Sequence, residues 1–224
     1  CRARTARRNR PMEADFWHKR WEDNQIPFHE GKPNALLVRH IETLNLAKGA
    51  RVFIPLCGKT KDFEWLASQG YRAVGAELSE IAIQQLFAEL EIAPDVSTVG
   101  TLKRYSADGI DVLVGDIFEL SASTLGPVDA IFDRAAMVAM PASMRQRYVT
   151  QVAKISDHAP QLLTCFEYDQ SLLDGPPFDV NQDEVEALYS DFYDVALVER
   201  VPIRNGLKGK CPADAALWHL TPNG

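Results

Sequence analysis

Residues Arg51 to Glu77 read RVFIPLCGKTKDFEWLASQGYRAVGAE. The apolar run Arg51–Pro55 follows a Gly49-Ala50 turn and predicts a buried strand. Leu56-Cys57-Gly58-Lys59 predicts a tight loop. Thr60 is placed to cap the next helix, and Asp62 lies in its first turn, where a carboxylate complements the dipole. Phe63, Leu66 and Ala67 give that helix an apolar face, and Gln69-Gly70 stops it. Tyr71–Ala76 reads as a second strand, with Glu77 at its end. A strand–loop–helix–strand unit closed by an acid about 20 residues after its loop is an arrangement that binds nucleoside-bearing cofactors. On this reading the loop's free backbone N–H groups approach the polar tail of the ligand. The carboxylate accepts hydrogen bonds from the two ribose hydroxyls.

Several ligands compete for such a unit. A dinucleotide fold wants G-x-G-x-x-G after the first strand, and this loop has one glycine, Gly58. A phosphate-cradling loop wants G-x-x-x-x-G-K-[ST]. Gly58-Lys59-Thr60 matches its end, but its first glycine would fall at Phe53, inside the strand. A ligand without phosphate needs fewer glycines, because no bulky anion nests on the backbone. S-adenosyl-L-methionine is such a ligand. A purely structural turn with Glu77 solvated is the remaining reading.

At 224 residues the chain suffices for one domain with a sizeable core. No run approaches the 18 apolar residues of a membrane-spanning helix, so no membrane role is expected. Cys1, Cys57, Cys165 and Cys211 form no C-x-x-C pair, which favours free thiols in a reducing, cytoplasmic compartment over disulfides or zinc. The five histidines form no H-E-x-x-H, and no metal is expected. Five of the 24 basic side chains crowd into residues 1–11, CRARTARRNRP, whereas 31 acids occupy the rest. The body is therefore acidic and offers no broad face to nucleic acid. The head reads as a nucleic-acid arm, a targeting segment, or a disordered stretch upstream of a natural start at Met12. The last is favoured, leaving residues 12–224 as a single domain.

Along the chain, Ala14–Asp23 predicts a helix with Phe16, Trp17 and Trp21 on one side. Asn24–Pro33 is a polar loop carrying Phe28 and His29. Trp17 is expected in the core; Trp21 and Phe28 are open between core staple and aromatic lid. Asn34–Leu46 predicts a second helix, and beyond the opening unit Ser79 caps another that runs to about Glu91. Thr101–Tyr105 is expected to pair with the strand Ile110–Val114 across Asp108-Gly109. Asp116 either bonds an adenine amino group or caps Ile117–Leu120. Val128–Phe132 and Gln161–Phe166 are further strands, and Pro141 opens a helix between them. Gly175-Pro176-Pro177-Phe178 is a stiff loop, and Asn181 with Glu184 reads as a capping box. Asp194–Val201 and Ala215–Leu220 close the chain through the loop Pro202–Asp214. Alternating strands and helices predict an α/β fold: a doubly wound, mostly parallel sheet with an antiparallel edge. Glu77, Asp116, Asp133, Arg134 and Asp169 all follow carboxyl ends of strands, the rim where such sheets bind ligands.

From Met12 to about Leu220 the chain resembles the thiopurine S-methyltransferase family, most closely its bacterial members. The resemblance is carried by Phe16-Trp17-His18-Lys19-Arg20-Trp21, Ile26-Pro27-Phe28-His29, Pro55-Leu56-Cys57-Gly58-Lys59, Val74-Gly75-Ala76-Glu77-Leu78-Ser79, Phe132-Asp133-Arg134-Ala135-Ala136 and Gly175-Pro176-Pro177-Phe178. It implies a class I, Rossmann-like, seven-stranded methyltransferase. Its cofactor would be S-adenosyl-L-methionine and its substrate the sulfur of an aromatic or heterocyclic thiol. Trp21, Leu56, Gly58, Glu77 and Arg134 match the family's cofactor contacts, and Asp116 with Ile117 matches its adenine site. Phe28 matches the aromatic cover over the substrate, and Arg204 is a candidate substrate contact. A cation such as Arg134 would favour the thiolate. Asp133 would orient that arginine, take the proton, or cap a turn. Bacterial members are also associated with selenium and tellurium detoxification. The alternative is a non-catalytic nucleoside-binding regulator on the same fold. A monomer is expected, since no apolar stripe is left over.

Overall fold

The computed structural model of the chain describes residues 14–224. The basic head, residues 1–11, lies outside them. Two helices come first, α1 (Ala14–Glu22) and α2 (Ala35–His40), the latter continued by a 3-10 turn, Ile41–Leu44. The strand–loop–helix–strand unit follows as β1 (Arg51–Pro55), α3 (Asp62–Ser68) and β2 (Arg72–Glu77), then α4 (Glu80–Glu89). Next come β3 (Asp95–Val99), β4 (Leu102–Ala107), β5 (Ile110–Val114), the short α5 (Ala122–Leu125), β6 (Ala130–Arg134) and α6 (Ala142–Ile155). β7 (Gln161–Tyr168), α7 (Gln182–Tyr189), β8 (Tyr193–Pro202) and β9 (Ala213–Pro222) complete the chain. Among the described residues no helix is long and apolar enough to cross a membrane.

Among the described residues nine strands form one sheet in the order β3-β4-β5-β2-β1-β6-β7-β9-β8. β5, β2, β1, β6 and β7 run parallel. The doubly wound parallel centre is as expected, but both edges are antiparallel and the strands number nine rather than seven. The expected pairing across Asp108-Gly109 is present, with φ of 47° and 81° at the two turn residues, the geometry of a type I′ hairpin. β3 extends it to a meander. Nothing in Asp95-Val96-Ser97-Thr98-Val99 announces that strand, because its first four residues are exposed and carry no apolar alternation.

Alternation along the strands builds a core on each face. From β1, Val52 and Ile54 join Trp21, Leu37, Phe63 and Ile83 on the face covered by α1 to α4. Phe53 joins Met137, Tyr148, Val149 and Trp218 on the face covered by α5 to α7. The chain order reverses between β1 and β6, which makes their carboxyl ends the topological switch point. Both strands leave the sheet there through a non-glycine residue in the left-handed region: Leu56 at φ 48° and Ala135 at φ 65°. Such conformations are sparsely populated and concentrate at ligand sites.

The same alternation separates Asp133 from Arg134. Asp133 is fully buried toward α6, where its carboxylate accepts from Tyr148 Oη at 2.7 Å and from Met137 N at 3.3 Å. Arg134 points to the opposite face. Asp133 therefore neither orients Arg134 nor reaches a rim substrate; it caps the turn after β6 and ties that turn to α6. Burial pushes its carboxyl up to about 6. Gly75 of β2 has an equally definite role. A Cβ there would lie 2.6 Å from Cys57 Sγ and 2.7 Å from Phe63 Cζ, so only glycine lets the loop after β1 seat on β2.

Gly75→Ala is expected to cost about 1–3 kcal/mol in urea denaturation. Its loss and that of Cys57→Ala should be less than additive, because the second change removes the blocking sulfur. Unchanged stability in Gly75→Ala would contradict this packing. For Asp133, the native state holds the proton more tightly than the unfolded chain. Stability should therefore fall as pH rises from the ordinary Asp range through about 6. Relative to Asp133→Asn, the wild type should lose on the order of 3 kcal/mol across that window and none above it. A pH-independent difference would contradict the assignment.

Candidate active site

Glu77 ends β2 at the rim beside the switch point and is almost wholly buried. Its Oε2 accepts from Gly58 N and its Oε1 from Ser79 N, each at 2.8 Å. One carboxylate thus joins the loop after β1 to the start of α4. Burial raises its pKa while these amide donors oppose the rise. A carboxylate has about four lone-pair positions, so each oxygen keeps one for a further donor. The vicinal hydroxyls of a ribose are donors of that kind.

The loop itself differs from expectation. Cys57 N donates to Ala76 O, Gly58 N to Glu77, and Thr60 N to Cys57 O. These amides are not free for the polar tail of a ligand, because the tight turn directs them inward. The loop therefore makes a poor phosphate nest and suits a phosphate-free nucleoside ligand, as its single glycine implied. Thr60 Oγ1 accepts from Asp62 N and donates to Asp62 Oδ2, but the cap position of α3 falls to Lys61, which makes no side-chain cap bond. Asp62 does more than complement a dipole. It is buried and accepts from Asn34 N at 2.7 Å, anchoring the start of α2 to α3.

An aromatic cluster closes this rim. Trp21 is 3% exposed and packs on Gly58, where an added Cβ would lie 3.2 Å from its ring. Phe28 meets Trp17 and Trp21 edge-on at centroid distances of 5.6 and 5.7 Å. Trp17, expected in the core, is half-buried in this cluster; Trp21, one helical turn on, is the core member. Arg134 reaches the cluster from β6. Its Nη2 donates to Phe28 O at 3.2 Å and pairs with Glu30 Oε1 at 2.9 Å. Residues 24–33 are thereby held over the strand ends. Glu30 was not foreseen, since a lone acid in a polar loop carries no periodic signal.

Asp116 is exposed, and its Oδ1 caps the 3-10 turn Ile117–Glu119 by accepting from Phe118 N at 2.9 Å. The capping reading is realised. Ile117 beside it is buried. Ser79 occupies the cap position of α4, but its hydroxyl is buried without a partner and makes no capping bond. Arg204 is exposed on the β8–β9 loop. Its neighbour Lys208 donates to Pro176 O at 2.6 Å and joins that loop to residues 175–178. Asp169 only caps the turn at Ser171 and takes no part in the cluster. A cavity of about 540 Å³ opens between Glu167 and the β8–β9 loop, away from the switch point. Among the described residues, no three His, Cys, Asp or Glu side chains gather to hold a metal ion.

Together Trp21, Phe28, Leu56, Gly58, Glu77 and Arg134 converge on one rim, with Asp116 and Ile117 following β5 beside β2. Solved structures share this architecture. A TehB-like SAM-dependent methyltransferase from Corynebacterium glutamicum superposes with TM-score 0.56 at 14% identity, over 94% of this chain and 98% of that one. The 1,6-didemethyltoxoflavin-N1-methyltransferase of Burkholderia thailandensis, with bound S-adenosylhomocysteine, gives 0.61 at 13% identity, over 93% and 87%. These likenesses bear on the fold. Sequence relatives are much nearer. The thiopurine S-methyltransferase of Xanthobacter autotrophicus is 55% identical over 93% of this chain and 99% of its own length. That of Teredinibacter turnerae is 48% identical over 95% and 99%. The family model for thiopurine S-methyltransferase matches residues 12–211. On this evidence the chain belongs to the thiopurine S-methyltransferase family.

Proposed function

We propose that this protein transfers the methyl group of S-adenosyl-L-methionine to the sulfur of aromatic or heterocyclic thiols. The observation that carries the reading is Glu77. It is a buried carboxylate beside the switch point, held by two backbone amides and retaining two acceptor positions, above a loop whose Cys57, Gly58 and Thr60 amides are turned inward. That combination suits a ribose and offers little to a pyrophosphate. When bound, the cofactor supplies a methyl group already activated by its sulfonium.

The protein's part is then orientation, water exclusion and charge. Glu77 accepts from the ribose hydroxyls, and Asp116 with Ile117 flanks the adenine. Trp21 and Leu56 enclose the polar end of the cofactor beside Gly58. Phe28 covers a flat substrate ring, and Arg204 lies on the loop nearest its outer edge. Arg134 stabilises the substrate as a thiolate, at about 4 kcal/mol for a charge at 4 Å in a partly solvated site. In-line placement has the greater reach, up to about 7–11 kcal/mol of the barrier. The new bond joins carbon to the substrate sulfur, the old sulfonium–carbon bond breaks, and the thiol proton leaves to solvent. No strong base is needed, since aromatic thiols are partly ionised near neutral pH. That agrees with Asp133 being buried away from the rim. We read the protein as a cytoplasmic monomer. The buried free thiols Cys57, Cys165 and Cys211 support a reducing compartment.

The test is product analysis with S-adenosyl-L-methionine and 6-mercaptopurine. The wild type should form the S-methyl product, and Arg134→Ala should form it on the order of 10²-fold more slowly. Cofactor binding without turnover on any aromatic thiol would favour a nucleoside-binding regulator. Methylation at nitrogen would overturn the thiol reading.

A further inference from the structure

We propose that Glu30 is a charge-tuning residue that sets how acidic a thiol must be to serve as substrate, by competing with the thiolate for Arg134. The proposal rests on the role given to Arg134 above. Both partners of the guanidinium meet one nitrogen, Nη2, which carries two N–H groups. They differ in kind. Phe28 O is fixed, because its ring is wedged against Trp17 and Trp21 and the chain turns at once through His29 N to Ile26 O, 2.9 Å. Glu30 is exchangeable. Its side chain is 48% exposed while that of Arg134 is 15% exposed, so the carboxylate can leave for water while the cation stays in place.

The other charges around this pair do not play that part. Asp62 of α3 lies near Arg134, but its oxygens are taken by Asn34 N and Thr60 Oγ1. Glu89 of α4 is engaged by Lys59 at 2.6 Å and Lys61 at 3.3 Å. His29 sits among Lys59, Lys61 and Arg134, and burial with these cations lowers its pKa, so it is neutral at neutral pH. Among the described residues, Glu30 is the one carboxylate in contact with Arg134. A sulfur that arrives as an anion can replace it; a neutral thiol gains nothing by doing so. Thiols ionised near neutral pH are thereby favoured over alkyl thiols, which are not.

Glu30→Gln keeps the shape and an acceptor for Arg134 while removing the charge. Glu30→Asp keeps the charge. Two readouts apply: the ionisation of bound 6-mercaptopurine, followed by thiolate absorbance with S-adenosylhomocysteine present, and kcat/KM for phenylmethanethiol relative to 6-mercaptopurine. In Glu30→Gln the bound thiol should ionise about 0.3–0.7 pH unit lower, and the relative kcat/KM of the alkyl thiol should rise roughly two- to five-fold. Glu30→Asp should restore both toward wild type. An unshifted ionisation, or an equal loss on both thiols, overturns the proposal and leaves Glu30 as a strut for residues 24–33. A wild type that binds cofactor yet methylates neither thiol overturns the parent reading, and this one with it.

Discussion

The two hydrogen bonds that Glu77 accepts are the constraint on which the site depends. One comes from the loop that ends β1 and the other from the residue that opens α4. A buried carboxylate is costly unless it is satisfied, and here the satisfaction is also the architecture. The bonds hold the loop against β2, where Gly75 leaves room for Cys57. They bring Gly58 to the position on which Trp21 packs. Structure and ligand preference are in this way set by one group.

A second tie completes the site from above. Residues 24–33 carry no regular structure, yet they are fixed at both ends. Asn34 is anchored on Asp62 of α3, and Phe28 with Glu30 is anchored on Arg134 of β6. The aromatic cover is thus attached to α3 on one side and to β6 on the other. The cation that holds the cover is also the one to which the proposed function assigns the anionic sulfur, so on that proposal closure and charge selection draw on the same side chain.

Much of this was legible in the sequence because it rests on local pattern. The strand–loop–helix–strand unit, the acid at its end and the single glycine in its loop follow from periodicity and turn chemistry. They sufficed to argue for a phosphate-free nucleoside ligand. What was not legible depends on which face a residue takes or on partners distant in sequence. Asp133 and Arg134 are neighbours in the chain, and strand alternation sends them to opposite sides of the sheet; both were read as rim residues. Glu30 and Asp62 owe their roles to contacts across more than twenty residues of chain, which no spacing rule announces. β3 escaped because a solvent-facing edge strand needs no apolar alternation. The inward turn of the loop amides escaped for a similar reason: the acceptors of Cys57 N and Gly58 N, Ala76 O and the Glu77 carboxylate, lie on the next strand.

The account stands or falls on whether the acceptor positions left open on Glu77 receive a ribose. Calorimetry with S-adenosyl-L-methionine on the wild type, Glu77→Gln and Glu77→Ala measures this directly, with circular dichroism to establish that each is folded. The account predicts saturable binding by the wild type and affinity at least ten-fold weaker in both variants, with adenosine showing the same ranking because it carries the same ribose. Folded variants that bind as tightly as the wild type, or a folded wild type that binds neither ligand, would contradict it and leave Glu77 as a purely structural clasp.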